Sequence, residues 1–159
     1  MEALTDDNLT VEELIRMTMR TVEAAIEVMK KLDEANTAVY GNPAPHRVNI
    51  HMRKGPFIVV SGHDLKDLEM LLEQTKGTGV NVYTHGEMLP CHGYEGLKKY
   101  PHLVGNFGGA WQDQQKQFDD LPGCILMTTN CLMRPRESYK GRIYSTNVAV
   151  SYTHLTAAD

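Results

Sequence analysis

Apolar positions in the first third of the chain recur with a helical period. Between Thr10 and about Glu34 they fall at steps of three and four residues, which predicts one amphipathic helix. Thr10 and Glu13 form the pattern of a capping box, which marks the start of this helix. A glycine and two prolines within 41–45 predict an extended linker after it.

After Pro56 the pattern changes to short apolar segments separated by polar turns. The segments recur at similar intervals, each long enough for a strand, a turn and a crossover helix, which favours parallel pairing over hairpins. The predicted strands are 57–61, 80–84, 103–107, 125–129 and 143–146, and the predicted helices are 64–74, 95–100 and 111–120. The pattern therefore predicts an α/β fold with a mostly parallel, doubly wound sheet, preceded by a helical arm.

Composition narrows the class of protein. The chain has 159 residues, of which 42% are hydrophobic and 23% are charged, as expected for one soluble globular domain. A net charge of -4 without clustered basic residues disfavours nucleic acid as a partner. The longest apolar run, 57–60, is too short to span a bilayer, and the acidic start does not resemble a signal peptide. The expected location is the cytoplasm.

Three chemically distinct side chains follow strands at the same predicted edge. His63 follows the first strand, Glu87 the second and Cys131 the fourth, and carboxyl ends of parallel strands are where ligands bind. Taken singly, each is more often a hydrogen-bonded turn histidine, a solvent-facing glutamate or a buried thiol. Together, the mixed ligand set suits iron better than structural zinc or calcium. The sequence predicts an iron site here and leaves those simpler roles open.

Other features carry weaker signals. Cys91 and Cys124 are expected to be inert, with Cys124 a core thiol at the start of a strand. The glycine-rich segment 105–109 fits a close-packing turn better than an anion site, because it lacks the spacing of known phosphate loops. The basic run 134–140 is expected to be a solvated loop, with anion steering as the alternative.

Four blocks of sequence resemble one known family. In chain order they are SGHDLKDL (61–68), VYTHGEMLP (82–90), HLVGNFGGAWQDQQ (102–115) and MTTNC (127–131). The chain is similar over about residues 1–148 to the hybrid cluster protein, hydroxylamine reductase or prismane family. The resemblance implies a Rossmann-like domain and a hybrid iron–sulfur–oxygen cluster that reduces hydroxylamine to ammonia and water.

The resemblance also implies roles for individual residues. His63, Glu87 and Cys131 match the histidine, the first glutamate and the first cysteine ligand of that cluster. His85 and His92 are candidate proton donors. The implied partners are hydroxylamine, nitric oxide as a further substrate, and a redox electron donor. We expect neither a nucleic acid nor a membrane as a partner.

The chain also departs from the family. Family members are much longer, with a second iron–sulfur cluster near the N-terminus and further ligands downstream, so we expect an internal fragment that is inactive alone. The predicted parts are a helical arm and linker over 1–45, the α/β domain over 46–148 and a non-native tail over 149–159. The alternatives are a non-enzymatic module that binds an anion or a partner, and a carbon monoxide dehydrogenase relative, which the matched blocks disfavour.

Overall fold

The computed structural model describes residues 8–129 and 132–146. Contacts between residues divide the chain into two compact units, Met1–Val39 and Tyr40–Asp159. No helix within the described ranges is both long and apolar enough to cross a membrane.

The first unit is built around helix α1, which spans Val11–Tyr40. The expected capping box is present: the Thr10 backbone N–H donates to Glu13 Oε2 over 2.9 Å, and the Glu13 N–H donates to Thr10 Oγ1 over 3.3 Å. The helix continues well beyond the predicted end at Glu34, because no helix breaker occurs before Gly41. That glycine has a φ of +84°, the left-handed conformation that commonly ends helices.

The second unit contains one five-stranded sheet. The strands are β1 (Phe57–Ser61), β2 (Asn81–His85), β3 (Leu103–Asn106), β4 (Cys124–Met127) and β5 (Ile143–Ser145). Their order is β3-β2-β1-β4-β5, and every neighbouring pair is parallel. This order confirms the predicted α/β fold and is that of a doubly wound, Rossmann-like sheet.

Helical segments connect the strands. They are α2 (Leu65–Thr75), a 3-10 helix (Gly86–Gly93), α3 (Glu95–Lys98), a second 3-10 helix (Trp111–Asp113) that leads into α4 (Gln114–Gln117), and a third (Lys140–Arg142). Asp64 caps α2, as expected, since its carboxylate accepts the Lys66 and Asp67 backbone N–H groups at 2.8 and 3.0 Å. The 3-10 helix after β2 was not predicted, and the helices in 95–100 and 111–120 are shorter than predicted.

Apolar clusters cover both faces of the sheet. Adjacent strand residues point to opposite faces, so Val59 and Val60 belong to different clusters, as do Val82 and Tyr83. One cluster includes Val60, Leu68, Leu72, Val82, Met88 and Leu97. The other includes Val59, Tyr83, Phe118, Ile125, Met127 and Tyr139. Burial on both faces explains why the strands are nearly continuous apolar runs, and it leaves the strand ends as the open part of the sheet.

Candidate metal centre at the sheet edge

Two of the predicted site residues meet at the carboxyl edge of the sheet. His63 lies in the turn after β1, and Glu87 lies in the 3-10 helix after β2. The ends of these two strands are paired, with Ser61 opposite His85. His63 Nε2 contacts Glu87 Oε2, and the two side chains are 46% and 45% exposed. The pair therefore places a nitrogen and an oxygen donor side by side at a solvent-accessible edge.

The turn that carries His63 requires a glycine. Gly62 has a φ of +109°, a conformation that side-chain-bearing residues rarely adopt. A Cβ atom at this position would lie 2.7 Å from the backbone nitrogen of Thr129 and would also collide with the Thr128 hydroxyl. Because the end of β4 packs directly on the turn, no larger residue fits at position 62.

Two threonines at the end of β4 bind the turn after β1. Thr128 N–H donates to Ser61 O over 2.9 Å, and Thr128 Oγ1 accepts the Asp64 N–H over 3.2 Å. Thr129 Oγ1 accepts the His63 backbone N–H over 2.9 Å and lies 3.4 Å from His63 Nδ1. The exits of β1 and β4 are therefore joined by hydrogen bonds on both sides of His63.

His85, a predicted proton donor, is fully buried in a hydrogen-bonded chain. The Gly109 N–H donates to Gln117 Oε1 over 3.2 Å, which fixes the orientation of that amide. His85 Nε2 lies 2.8 Å from the same oxygen and so must donate to it, which leaves Nδ1 to accept from Ser61 Oγ at 3.1 Å. Burial lowers the pKa of His85, partly opposed by the bond to Gln117. The ring is therefore neutral, with its proton on Nε2.

His92, the other predicted proton donor, has a similar environment. The Asn106 Nδ2 donates to Gly108 O over 3.2 Å, so its Oδ1 accepts the Thr84 hydroxyl proton over 2.9 Å. Thr84 Oγ1 can then only accept from His92 Nε2, at 3.0 Å. Burial, with a contribution from the charge of His46, lowers the pKa of His92 from 6.5 to about 4. Both histidines are thus tied to the glycine-rich turn.

Two of the three cysteines lie within the described residues, and they differ in burial. Cys131, the third predicted ligand, lies outside the described residues. Cys91 is buried, and burial raises the pKa of its thiol to about 12, in keeping with an inert side chain. Cys124 begins β4 as expected, but it is exposed rather than part of the core. The expectation of a core thiol was wrong because the strand enters the sheet from solvent at this residue.

The glycine-rich turn lies beside a cleft at the same edge. The cleft has a volume of about 300 Å³ and is lined by Gly86, Glu87, Leu89, Asn106, Gly108, Gly109, Ala110 and Trp111. Packing accounts for the glycines: a Cβ on Gly105 would collide with the Asn49 carbonyl, and one on Gly108 would lie 2.5 Å from Gln117 Oε1. These contacts favour the close-packing interpretation of this turn over an anion site.

The described residues do not form a complete metal site. Across residues 8–129 and 132–146, no three His, Cys, Asp or Glu side chains group closely enough to hold an ion. The structure brings the side chains of His63 and Glu87 into contact. It places His85 and His92 in buried hydrogen-bond networks instead. Gln117 and Thr129, which contact His85 and His63, were not predicted from the sequence. The only signal for Thr129 was its place two residues before Cys131.

Known proteins resemble this chain over most of its length. Residues 1–159 match the model of the Prismane/CO dehydrogenase family. Hydroxylamine reductase from Caldanaerobacter subterraneus subsp. tengcongensis is 58% identical over 143 residues, which cover 90% of this chain and 26% of that protein. The hydroxylamine reductases of Clostridium tetani and Maridesulfovibrio salexigens are 55% and 54% identical over 93% and 95% of this chain.

The similarity covers only part of each relative. The chain spans 26% of the length of the Clostridium tetani protein and 29% of the Maridesulfovibrio salexigens protein. The resemblance inferred from the four sequence blocks is confirmed, because the match extends over the whole chain and includes each block. The chain belongs to the Prismane/CO dehydrogenase family.

Proposed function

We propose that the full-length protein reduces hydroxylamine to ammonia and water, and that this chain supplies part of the ligand set for its metal cluster. Family membership implies iron–sulfur cofactors. The observation that carries the proposal is the contact between His63 Nε2 and Glu87 Oε2 at the carboxyl edge of the sheet. Curated relatives named hydroxylamine reductase support the reaction class.

The donor atoms of the pair fit the proposed cofactor. An imidazole nitrogen and a carboxylate oxygen are both ligands that iron accepts. They follow adjacent strands whose ends are paired in register, and each side chain is about half exposed, so further ligands from other parts of a longer protein can approach. Cys131 is proposed as the third ligand of this chain. The bound cluster would supply an open iron for hydroxylamine and electrons to cleave the N–O bond.

The reaction needs electrons and protons from outside the substrate. Hydroxylamine takes up two electrons and two protons as its N–O bond breaks, giving ammonia and water. The proposal therefore includes a redox partner that supplies the electrons. Nitric oxide remains a further proposed substrate, and a second iron–sulfur cluster is proposed for another part of the full-length protein. The cytoplasm is the proposed compartment, since three cysteines without a CxxC pair fit no disulfide framework.

His85 and His92 remain the proposed proton donors. Their support is their place at the two ends of the segment that carries Glu87. The competing role is structural, because both rings are buried and hydrogen-bonded. Turnover of His85→Gln and His92→Gln distinguishes these roles: full turnover in both variants would exclude proton donation by either residue.

The test of the proposed ligands uses the full-length protein, prepared without oxygen. His63→Ala, Glu87→Ala and Cys131→Ala are each expected to lose cluster absorbance, iron content and hydroxylamine turnover. Matched controls change an exposed residue of the same type: His51→Ala, Glu137→Ala and Cys124→Ala should retain all three. Wild-type iron content and turnover in the first three variants would contradict the proposed ligand roles, whereas an absence of iron and turnover from the wild-type protein itself would favour a non-enzymatic module.

A further inference from the structure

The hydroxyl of Thr129 lies against both the backbone and the ring of His63. We propose that Thr129 is a positioning residue: it holds the imidazole at Nδ1 so that Nε2 is the atom presented beside Glu87. This inference rests on the proposed function, because it concerns how a proposed ligand is aimed at the cluster. Thr129 itself lies outside the predicted ligand set.

The contacts of Thr129 define how it would act. Its Oγ1 accepts the His63 backbone N–H over 2.9 Å and lies 3.4 Å from Nδ1 of the same residue. A hydroxyl has two lone pairs and one proton, so Thr129 can accept a hydrogen bond from Nδ1–H, or donate one to an unprotonated Nδ1, while keeping the backbone bond. One side chain therefore fixes the start of the turn and the rotation of the ring.

The geometry selects Nε2 as the ligand atom. Nδ1 faces the threonine, and Nε2 faces the Glu87 carboxylate. A neutral imidazole that gives its Nε2 lone pair to a metal keeps its proton on Nδ1, and that N–H needs an acceptor. Thr129 Oγ1 is the nearby oxygen that can accept it. Partners of this kind typically orient metal-binding histidines.

The threonine is itself held in place. Thr128, the preceding residue, donates its N–H to Ser61 O over 2.9 Å and accepts the Asp64 N–H over 3.2 Å. Gly62 packs against the backbone of Thr129. Because the two strand exits are bound together on either side of His63, the distance from the Thr129 hydroxyl to the ring is set by the sheet.

The neighbouring carboxylate does not compete for this role. Asp64 follows His63 directly, but its Oδ1 already accepts the Lys66 and Asp67 backbone N–H groups as the cap of α2. Moving it to the ring would uncap the helix. Thr129 is therefore the side chain placed to orient His63.

The experiment compares Thr129→Val, which removes the hydroxyl and keeps the branched shape, with Thr129→Ser, which keeps the hydroxyl. Pulsed electron paramagnetic resonance of the cluster-loaded full-length protein reads the couplings of the remote imidazole nitrogen, which respond to its hydrogen bond. We expect these couplings to shift in the valine variant and to return in the serine variant. Iron affinity should fall about 10-fold in the valine variant only. Thr78→Val, which removes an exposed hydroxyl bonded to Thr75 O, is the control.

The outcomes separate this inference from the proposed function. If the wild-type protein shows no imidazole coupling, or His63→Ala leaves that coupling unchanged, His63 is not a ligand and both proposals fail. If the coupling depends on His63 but does not change in Thr129→Val, only the positioning role fails. Should the valine variant not fold, Thr129→Ala and Thr129→Ser make the same comparison of absent and present hydroxyl.

Discussion

The exits of β1 and β2 place histidines in two opposite environments. His63 and its neighbour Glu87 are nearly half exposed, whereas His85 is fully buried and His92 is 6% exposed. The buried rings have both their orientation and their proton position set by partners inside the fold. The exposed pair meets at the surface, where a ligand from outside the chain can reach it. Position relative to the sheet edge, rather than residue type, separates a candidate ligand from a buried, hydrogen-bonded histidine.

Gly62→Ala should have the largest effect, because it disturbs the turn that presents the exposed pair. The substitution combines strain at a φ of +109° with a collision against Thr128 and Thr129, and we expect a loss of about 4 kcal/mol in the free energy of unfolding. Urea unfolding measures it. Gly77→Ala is the control: its φ is +74°, but no atom lies within 4 Å of the new Cβ, so about 1 kcal/mol should be lost. Equal losses would contradict the packing argument.

His85→Ala and His63→Ala test the comparison directly. The first leaves a cavity and removes the partners of Ser61 and Gln117, so we expect a loss of about 3 kcal/mol in unfolding free energy. The second removes a half-exposed side chain and should cost about 0.5 kcal/mol. Both values come from urea denaturation of the metal-free protein. A larger loss for His63→Ala would reverse our distinction between the two environments.

Acid should destabilise the protein through His92. Its pKa is about 4 in the folded state against 6.5 when unperturbed, so between these values the unfolded state binds more protons. The contribution is fully present above pH 6.5 and is lost as the pH falls towards 4. We expect a decrease of about 2–3 kcal/mol over this interval.

The measurement is the urea midpoint of the wild-type protein and of His92→Gln from pH 7 to pH 4. The variant should show a shallower dependence on pH, with a remaining slope from His85, whose pKa burial also lowers. Identical slopes would mean that His92 is not held neutral by the fold.

Gln117→Leu should have a smaller effect than Gly62→Ala, His85→Ala or the protonation of His92. It removes the acceptor for both His85 Nε2–H and the Gly109 N–H, for an expected loss of about 1–2 kcal/mol. The matched control is Gln115→Leu, whose exposed bond to Arg134 O should be worth less than about 0.5 kcal/mol. Thermal unfolding compares the two variants. Equal melting temperatures would show that the hydrogen bond from His85 to Gln117 does not stabilise the fold.

Much of the fold could be predicted because its signals are local. The strand Phe57–Ser61 has the bounds its apolar run indicated, and the caps at Thr10 and Asp64 were recognised from side chains close in sequence. The errors have local causes too. The length of α1 was underestimated because residues 35–39 contain no breaker but also continue no clear apolar stripe. The 3-10 helix Gly86–Gly93 was missed because its glycines and Pro90 suggested a loop.

The site was predictable only in part because its supporting contacts are distant in sequence. His63 and Glu87 could be predicted to lie close together because both follow parallel strands, whose carboxyl ends meet at one edge of the sheet. Gln117 lies 32 residues from His85, and Thr129 lies 66 residues from His63. Nothing in local sequence specifies such partners. The burial of His85 and His92 likewise depends on packing across the sheet, which the motifs around them did not reveal.

The pairing of β1 with β4 has a consequence for the order of events during synthesis. The hydrogen bond between His63 and Thr129 joins residues 66 positions apart, so it forms only after β4 has been synthesised and has paired with β1. Contacts of such long range are made late in folding. A metal ion that arrives earlier meets a flexible imidazole instead of an aimed one. Under the proposed function, insertion of the cofactor at this edge is expected to follow chain folding rather than to guide it.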